Sequence, residues 1–182
     1  IDIPISIDTL HFETAMEAME AGADIINDVS GLDYDVDLLE YVDINNIPLI
    51  LTHSNGIPAS NCDYTQKDIV EEIYKSLKDK IDMLVSSGME RKNIIVDTGI
   101  GFGKSTQSCF EILRRMEEFT SLRLPLLVGI SRKSFIRNTF NLTIEESDLP
   151  TALYSAMLKD VNIHRVHNVM LTKKFLQYMK WN

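Results

Sequence analysis

Six strand-length apolar runs recur along the chain, and each gives way to a polar residue at the same end. The runs are IPISI before Asp8, DIIN ending at Asn27, IPLILT before His53, NIIV before Asp97, LPLLVG ending at Gly129 and NIHRV ending at Val166. Ile, Val and Leu fill them with little strict alternation, as in parallel strands covered on both faces. Helical patterns lie between them, at 14–21, 66–86, 108–119, 149–158 and 170–179. The longest places Ile69, Ile73, Leu77, Ile81 and Leu84 at three- and four-residue spacing and closes at Gly88. No low-complexity linker or charge block interrupts the series, so a single α/β domain over 1–182 is predicted.

Two architectures fit such a series, an open doubly wound sheet and a (β/α)8 barrel. An open sheet gathers its ligand groups at one switch point between strands. A barrel turns every strand end toward one mouth. Here Asp8, Asn27, His53, Asp97, Ser131 with Lys133, and Arg165 with His167 all stand at or just past strand ends. The barrel is therefore expected. A whole barrel takes eight units and about 250 residues, whereas this chain has 182 residues and opens on Ile1. The expectation is that strands three to eight are present and the first two units are missing.

Composition removes other classes. The net charge of -9 argues against broad nucleic-acid binding. No stretch approaches the roughly 18 apolar residues of a membrane-spanning helix, and the first residues lack the basic and apolar regions of a signal peptide. Cys62 and Cys109 stand outside any metal-type spacing and read as reduced thiols of a cytoplasmic protein.

The chemistry concentrates in three segments. In VDTGIGFGKS, Asp97 ends a buried strand and is followed by glycines that let backbone approach a ligand. The spacing is not that of a P-loop, and a flexible turn with a solvated Lys104 would produce the same letters. In LPLLVGISRKSF, Arg132 and Lys133 follow a strand directly, which on an acidic protein suggests an anionic or electron-rich ligand. In NIHRVHNV, Arg165 and His167 occupy alternate positions, suited to a phosphate, with His164 on the opposite face. His11 reads as a surface residue, and His53 as either a pocket wall or a core histidine.

In sequence order, SIDT at Ser6, IIND at Ile25, THSNGIP at Thr52, DTGIGFGKS at Asp97, PLLVGISRKSF at Pro125 and RVHNV at Arg165 resemble the signature blocks of the dihydropteroate synthase family. The resemblance implies a barrel enzyme that joins p-aminobenzoate to 6-hydroxymethyl-7,8-dihydropterin pyrophosphate and releases pyrophosphate. It implies a pterin pocket of Asp8, Asn27, Asp97 and Lys133, lined by Phe102 and Gly129. Ser131 would lie near p-aminobenzoate, and Arg165 with His167 would hold the pyrophosphate, with catalysis resting on Asp97, Lys133 and Arg165. Mg2+ is the implied cofactor, its protein ligand expected in the missing N-terminal part, and a homodimer is compatible with the family. No nucleic-acid or membrane partner is expected.

Some positions depart from the family pattern. Thr98 stands where a proline is usual, and Thr52 and Ser54 replace the methionines that commonly flank His53, placing a polar group beside the expected pocket. Asn168 replaces an aspartate, and Glu145-Glu146 a Glu-Arg pair. Two rival readings stay open at this stage: a pterin-binding methyltransferase using methyltetrahydrofolate, and a barrel remnant without catalysis.

Overall fold

A computed structural model describes residues 2–56 and 68–179. Six strands, β1 (Ser6–Asp8), β2 (Ile25–Asp28), β3 (Leu49–Thr52), β4 (Ile94–Asp97), β5 (Leu126–Val128) and β6 (Ile163–His164), form one sheet in the order of the sequence. Every neighbouring pair is parallel. The intervening helices are α1 (Phe12–Glu20), α2 (Val36–Ile44), α3 (Ile69–Ser87), α4 (Thr106–Arg114), α5 (Ser134–Phe140), α6 (Asp148–Met157) and α7 (Val169–Met179).

Sequential order rules out the doubly wound alternative, whose strand order must reverse. Right-handed crossovers that always step the same way leave all helices on one face. The other face can then be protected only by curling the sheet on itself. One contact measures that curl. The guanidinium of Arg165, just past β6, donates to the Asn27 side chain of β2 at 3.0 Å. In a flat sheet those strands would lie four spacings apart, about 19 Å.

The pleat sorts the strand residues into two sets. Ile26, Leu49, Leu51, Ile94, Val96, Leu126 and Val128 join the core beneath the helices. Ser6, Asp8, Ile25, Asn27, Ile50, Ile95, Leu127, Ile163 and Arg165 line the concave side, around a cavity of about 560 Å³. The register is staggered: Asn27 lies opposite Ile50, and Asp97 opposite Leu127. Strand ends therefore climb in steps around the mouth, with Asp8 level with Asn27 and Thr52 level with Asp97.

One expectation about the helices is corrected, and two helices come in addition. The pattern at 108–119 is not one helix: α4 begins earlier, capped by the Ser105 hydroxyl that accepts from the Ser108 amide at 3.1 Å, and ends at Arg114. A 3-10 segment, Met116–Leu122, follows. Met116, Phe119 and Leu122 are all buried, and their three-residue spacing matches the three residues per turn of that helix. The two short helices α2 and α5 were not expected. Asp35 caps α2 by accepting from the Asp37 and Leu38 amides. For α3, the expected start at 66 lies outside the described residues; Asp68 caps it, accepting from the Val70 and Glu71 amides.

Candidate functional site

The C-terminal strand ends bring Asp8, Asn27, Asp97 and Arg165 into one group. Asp97 is 1% exposed. One of its carboxylate oxygens accepts from the Gly99 amide at 2.8 Å, the other from Arg165 Nη2 at 2.8 Å. The second Arg165 nitrogen reaches Asn27 Oδ1, so the guanidinium spans β2 to β4 in front of β3. Gly129 makes room for it: a Cβ there would stand 3.0 to 3.3 Å from three guanidinium atoms. Asp8, on the edge strand, keeps much of its surface in solvent, yet partial burial raises its carboxyl pKa. Arg165 and the Asn27 side chain oppose that rise, and Asp28 and Asp97 add to it.

The loop after β4 forms one wall. Gly99 has φ +63, and a Cβ on it would fall 1.8 Å from the His53 carbonyl oxygen, so only glycine fits. Lys104 is not a solvated lysine. It is 6% exposed, and its ammonium donates to the carbonyls of His53 at 3.2 Å, Gly99 at 2.8 Å and Phe102 at 3.2 Å. Only one of those three carbonyls, that of Gly99, belongs to the glycine run, so no local pattern in the sequence announces the burial of Lys104. Phe102 carries Lys133 over its ring, with Nζ 4.7 Å from the centroid, and that ammonium also donates to the Ile100 carbonyl. Burial lowers the Lys133 pKa; Asp97 works against the shift and Arg165 reinforces it.

The adjacent cations part company. Arg132, at φ +60, turns away from Lys133 and makes a two-point pair with Asp148 at 3.0 and 3.1 Å. Asn168 donates to the same carboxylate at 3.3 Å. This strut ties the loop after β5 to α6 and to the start of α7, and nothing in the local sequence announces it, since Asp148 lies 16 residues from Arg132. Ser131 bonds both the backbone amide and Nδ1 of His167, at 3.2 and 2.9 Å. Arg165 and His167 thus reach different partners despite their alternate positions, because β6 ends at His164.

The remaining histidines separate by environment. Burial, with help from Lys104 and Lys80, lowers the pKa of His53 to about 3, so its ring is neutral. His164 is half-buried on the opposite face from Arg165, and burial lowers its pKa also. His11 is exposed and meets the Tyr34 ring edge-on. Cys109 is buried and unpaired, whereas Cys62 lies outside the described residues. No described helix is long and apolar enough to cross a membrane.

Several buried polar atoms have no partner among the described residues. Two of them, Asn27 Nδ2 and Thr52 Oγ1, belong to residues on the concave side of the strands at this mouth.

A family model described as pterin binding enzyme matches residues 1–167. The dihydropteroate synthase of Clostridium beijerinckii is 37% identical over 172 residues, 93% of this chain and 62% of that protein. That of Bacillus subtilis is 32% identical over 181 residues, 98% of this chain and 61% of that protein. The chain thus spans about three fifths of these two curated relatives. Among solved structures, the Clostridium difficile dihydropteroate synthase determined in the presence of pteroic acid superposes with a TM-score of 0.90 at 31% identity, covering 99% of this chain and 67% of that one. The Xanthomonas albilineans enzyme with 4-aminobenzoic acid gives 0.89 at 29%, covering 98% and 67%. The six strands are accordingly part of a (β/α)8 barrel of this type, corresponding to its strands three to eight.

Proposed function

The chain belongs to the pterin binding enzyme family, and on that premise we propose that it serves dihydropteroate synthesis, the condensation of p-aminobenzoate with 6-hydroxymethyl-7,8-dihydropterin pyrophosphate. The observation that carries this reading is the guanidinium of Arg165 laid across Asn27 and Asp97. A pterin's N1, C2, 2-amino and N3–H atoms are themselves a cyclic guanidine. Acceptors spaced for one planar N–C–N donor array suit the other.

In this reading the ring enters as Arg165 gives up Asp97. Asp97 then accepts from N3–H and the 2-amino group, while Asn27 and Asp8 serve the remaining ring nitrogens. Lys133 donates to the ring oxygen or nitrogen nearby, on the wall formed with Phe102. Released toward the rim, Arg165 pairs with the pyrophosphate, assisted by His167, and p-aminobenzoate lies near Ser131. The amine nitrogen attacks the pterin CH2, the C–O bond to pyrophosphate breaks, and the nitrogen loses a proton. The bond-breaking leads, so the protein's work is to position the reactants and to stabilise charge. Asp97 favours positive charge on the ring, and Arg165 favours negative charge on the leaving group.

Mg2+ remains part of the proposal in a limited form. Among the described residues no group of three His, Cys, Asp or Glu side chains could hold a metal, so the residues present do not build a site for it. Magnesium is usually held by one or two carboxylates, water and substrate phosphates; it would enter with the pyrophosphate, and no step here runs through it. A homodimer is supported by the exposed Leu149, Leu153 and Met157 of α6 and Met170 of α7. A cytoplasmic setting is supported by the unpaired Cys109.

Calorimetric titration with 6-hydroxymethylpterin tests the reading. Binding that is lost or sharply weakened in Asp97→Asn is expected. A chain that binds neither the pterin nor its pyrophosphate ester overturns it.

A further inference from the structure

Thr52 ends β3, the strand directly behind the Arg165 guanidinium. It shares the concave face with Ile50, which lines the cavity, and lies level with Asp97 in the register. Thr52 is 1% exposed, and its hydroxyl has no hydrogen-bond partner among the described residues. Asn27 Nδ2, on the next strand, is in the same condition. A buried hydroxyl without a partner is costly, and folded proteins seldom leave one so. Nothing else about β3 needs the polarity: Leu49, Ile50 and Leu51 are all apolar and buried.

We propose that Thr52 is a specificity-determining residue of the site, its hydroxyl accepting a hydrogen bond from the 2-amino group of the bound pterin. The inference rests on the pterin reading above and adds a contact to it. The geometry follows from strand order. A ring that sets N3–H and one 2-amino hydrogen on Asp97, and takes N1 to the Nδ2 donor of Asn27, straddles β2 and β4. Its 2-amino group then lies over β3, between the two, and its second hydrogen points at the residue that ends β3. Thr52 Oγ1 accepts it there. The ring would take the span that the Arg165 guanidinium holds between Asn27 and Asp97.

The test is a cycle of two variants and two ligands. Thr52→Val keeps the shape and removes the hydroxyl; Thr52→Ser keeps the hydroxyl. The ligands are 6-hydroxymethylpterin and its 2-desamino analogue, titrated by calorimetry. Thr52→Val is expected to weaken the pterin about fivefold to tenfold and to leave the desamino analogue unchanged, while Thr52→Ser binds both as the parent does. The melting temperature of Thr52→Val should hold or rise, since an apolar isostere replaces an unpaired hydroxyl. Ser155→Ala, which removes another buried hydroxyl without a partner among the described residues, on α6, should leave both affinities unchanged. Equal losses for the two ligands, or no loss, would overturn the role of Thr52. A parent protein that does not bind the pterin overturns the underlying reading instead.

Discussion

The two faces of one sheet differ in how far folding alone satisfies them. On the helix side, Ile26, Leu49, Leu51, Ile94 and Val96 are buried in a continuous apolar core. On the concave side the sheet runs from Ile95, Leu127 and Ile163 up to Asp8 and Asn27, around a cavity. There a side chain of the protein itself, Arg165, fills hydrogen bonds of two others, and Asn27 and Thr52 still carry polar atoms without a partner among the described residues. The helix face is complete once folded. The concave face is arranged for something that is not part of these strands.

Truncation should expose that difference most strongly. Leu49→Ala, on the helix face at 0% exposure, is expected to lower stability by about 3 kcal/mol, because it leaves a void in close-packed surroundings. Ile163→Ala, on the concave face at 37% exposure, should cost under about 1 kcal/mol. Denaturant midpoints compare them, and equal losses would break the distinction. Next in size is Asp97→Asn, which should weaken pterin binding by about 1.5–3 kcal/mol, the worth of a charge-assisted hydrogen bond. Arg165→Ala should cost about 1–2 kcal/mol for the pterin pyrophosphate and less for the free pterin. Equal losses for the two ligands would remove the division of labour between Asp97 and Arg165.

The smallest effect is in acid. His53 has a folded pKa of about 3, against 6.5 for the free side chain, so the unfolded chain takes up its proton first. Its contribution to stability is complete above pH 6.5 and declines as the pH falls from there toward 3. Between pH 7 and pH 6 the loss should be about 0.7 kcal/mol. His53→Gln should flatten that slope, and an unchanged slope would show that His53 is not the group responsible.

What the sequence disclosed follows the same division. The middle strands β3 to β5 are buried along nearly their whole length and are apolar up to their ends, so they were readable as runs, and the polar letters at the ends of the strands marked the mouth. The short helices α2 and α5 were not readable, since α2 buries only Leu38 and Val42 and α5, which begins at the last residue of the SRKS segment, buries only Phe135 and Ile136. Spacing along the chain also misled at residue 115, where a three-residue period looks much like a helical one. Within the site, Asp97 and Arg165 stood out as isolated charges at strand ends. That Arg132 would leave its neighbour for Asp148 was not legible, because that pairing is decided by the approach of α6. Nor could the bond from Arg165 to Asn27 be foreseen, as the two are 138 residues apart and meet only because the sheet curls.

The ammonium of Lys104 has a mechanical consequence. One of its carbonyl partners, His53, belongs to the segment after β3, and the other two, Gly99 and Phe102, belong to the segment after β4. The Asn55 amide adds a second tie by donating to the Gly103 carbonyl at 3.0 Å. The two segments are therefore linked like plates bolted at two points. A push on residues 53–55 is carried to Phe102, and through its ring to the ammonium of Lys133. Residues 53–55 and the neighbouring wall are thus held together as one stiff piece on this side of the mouth.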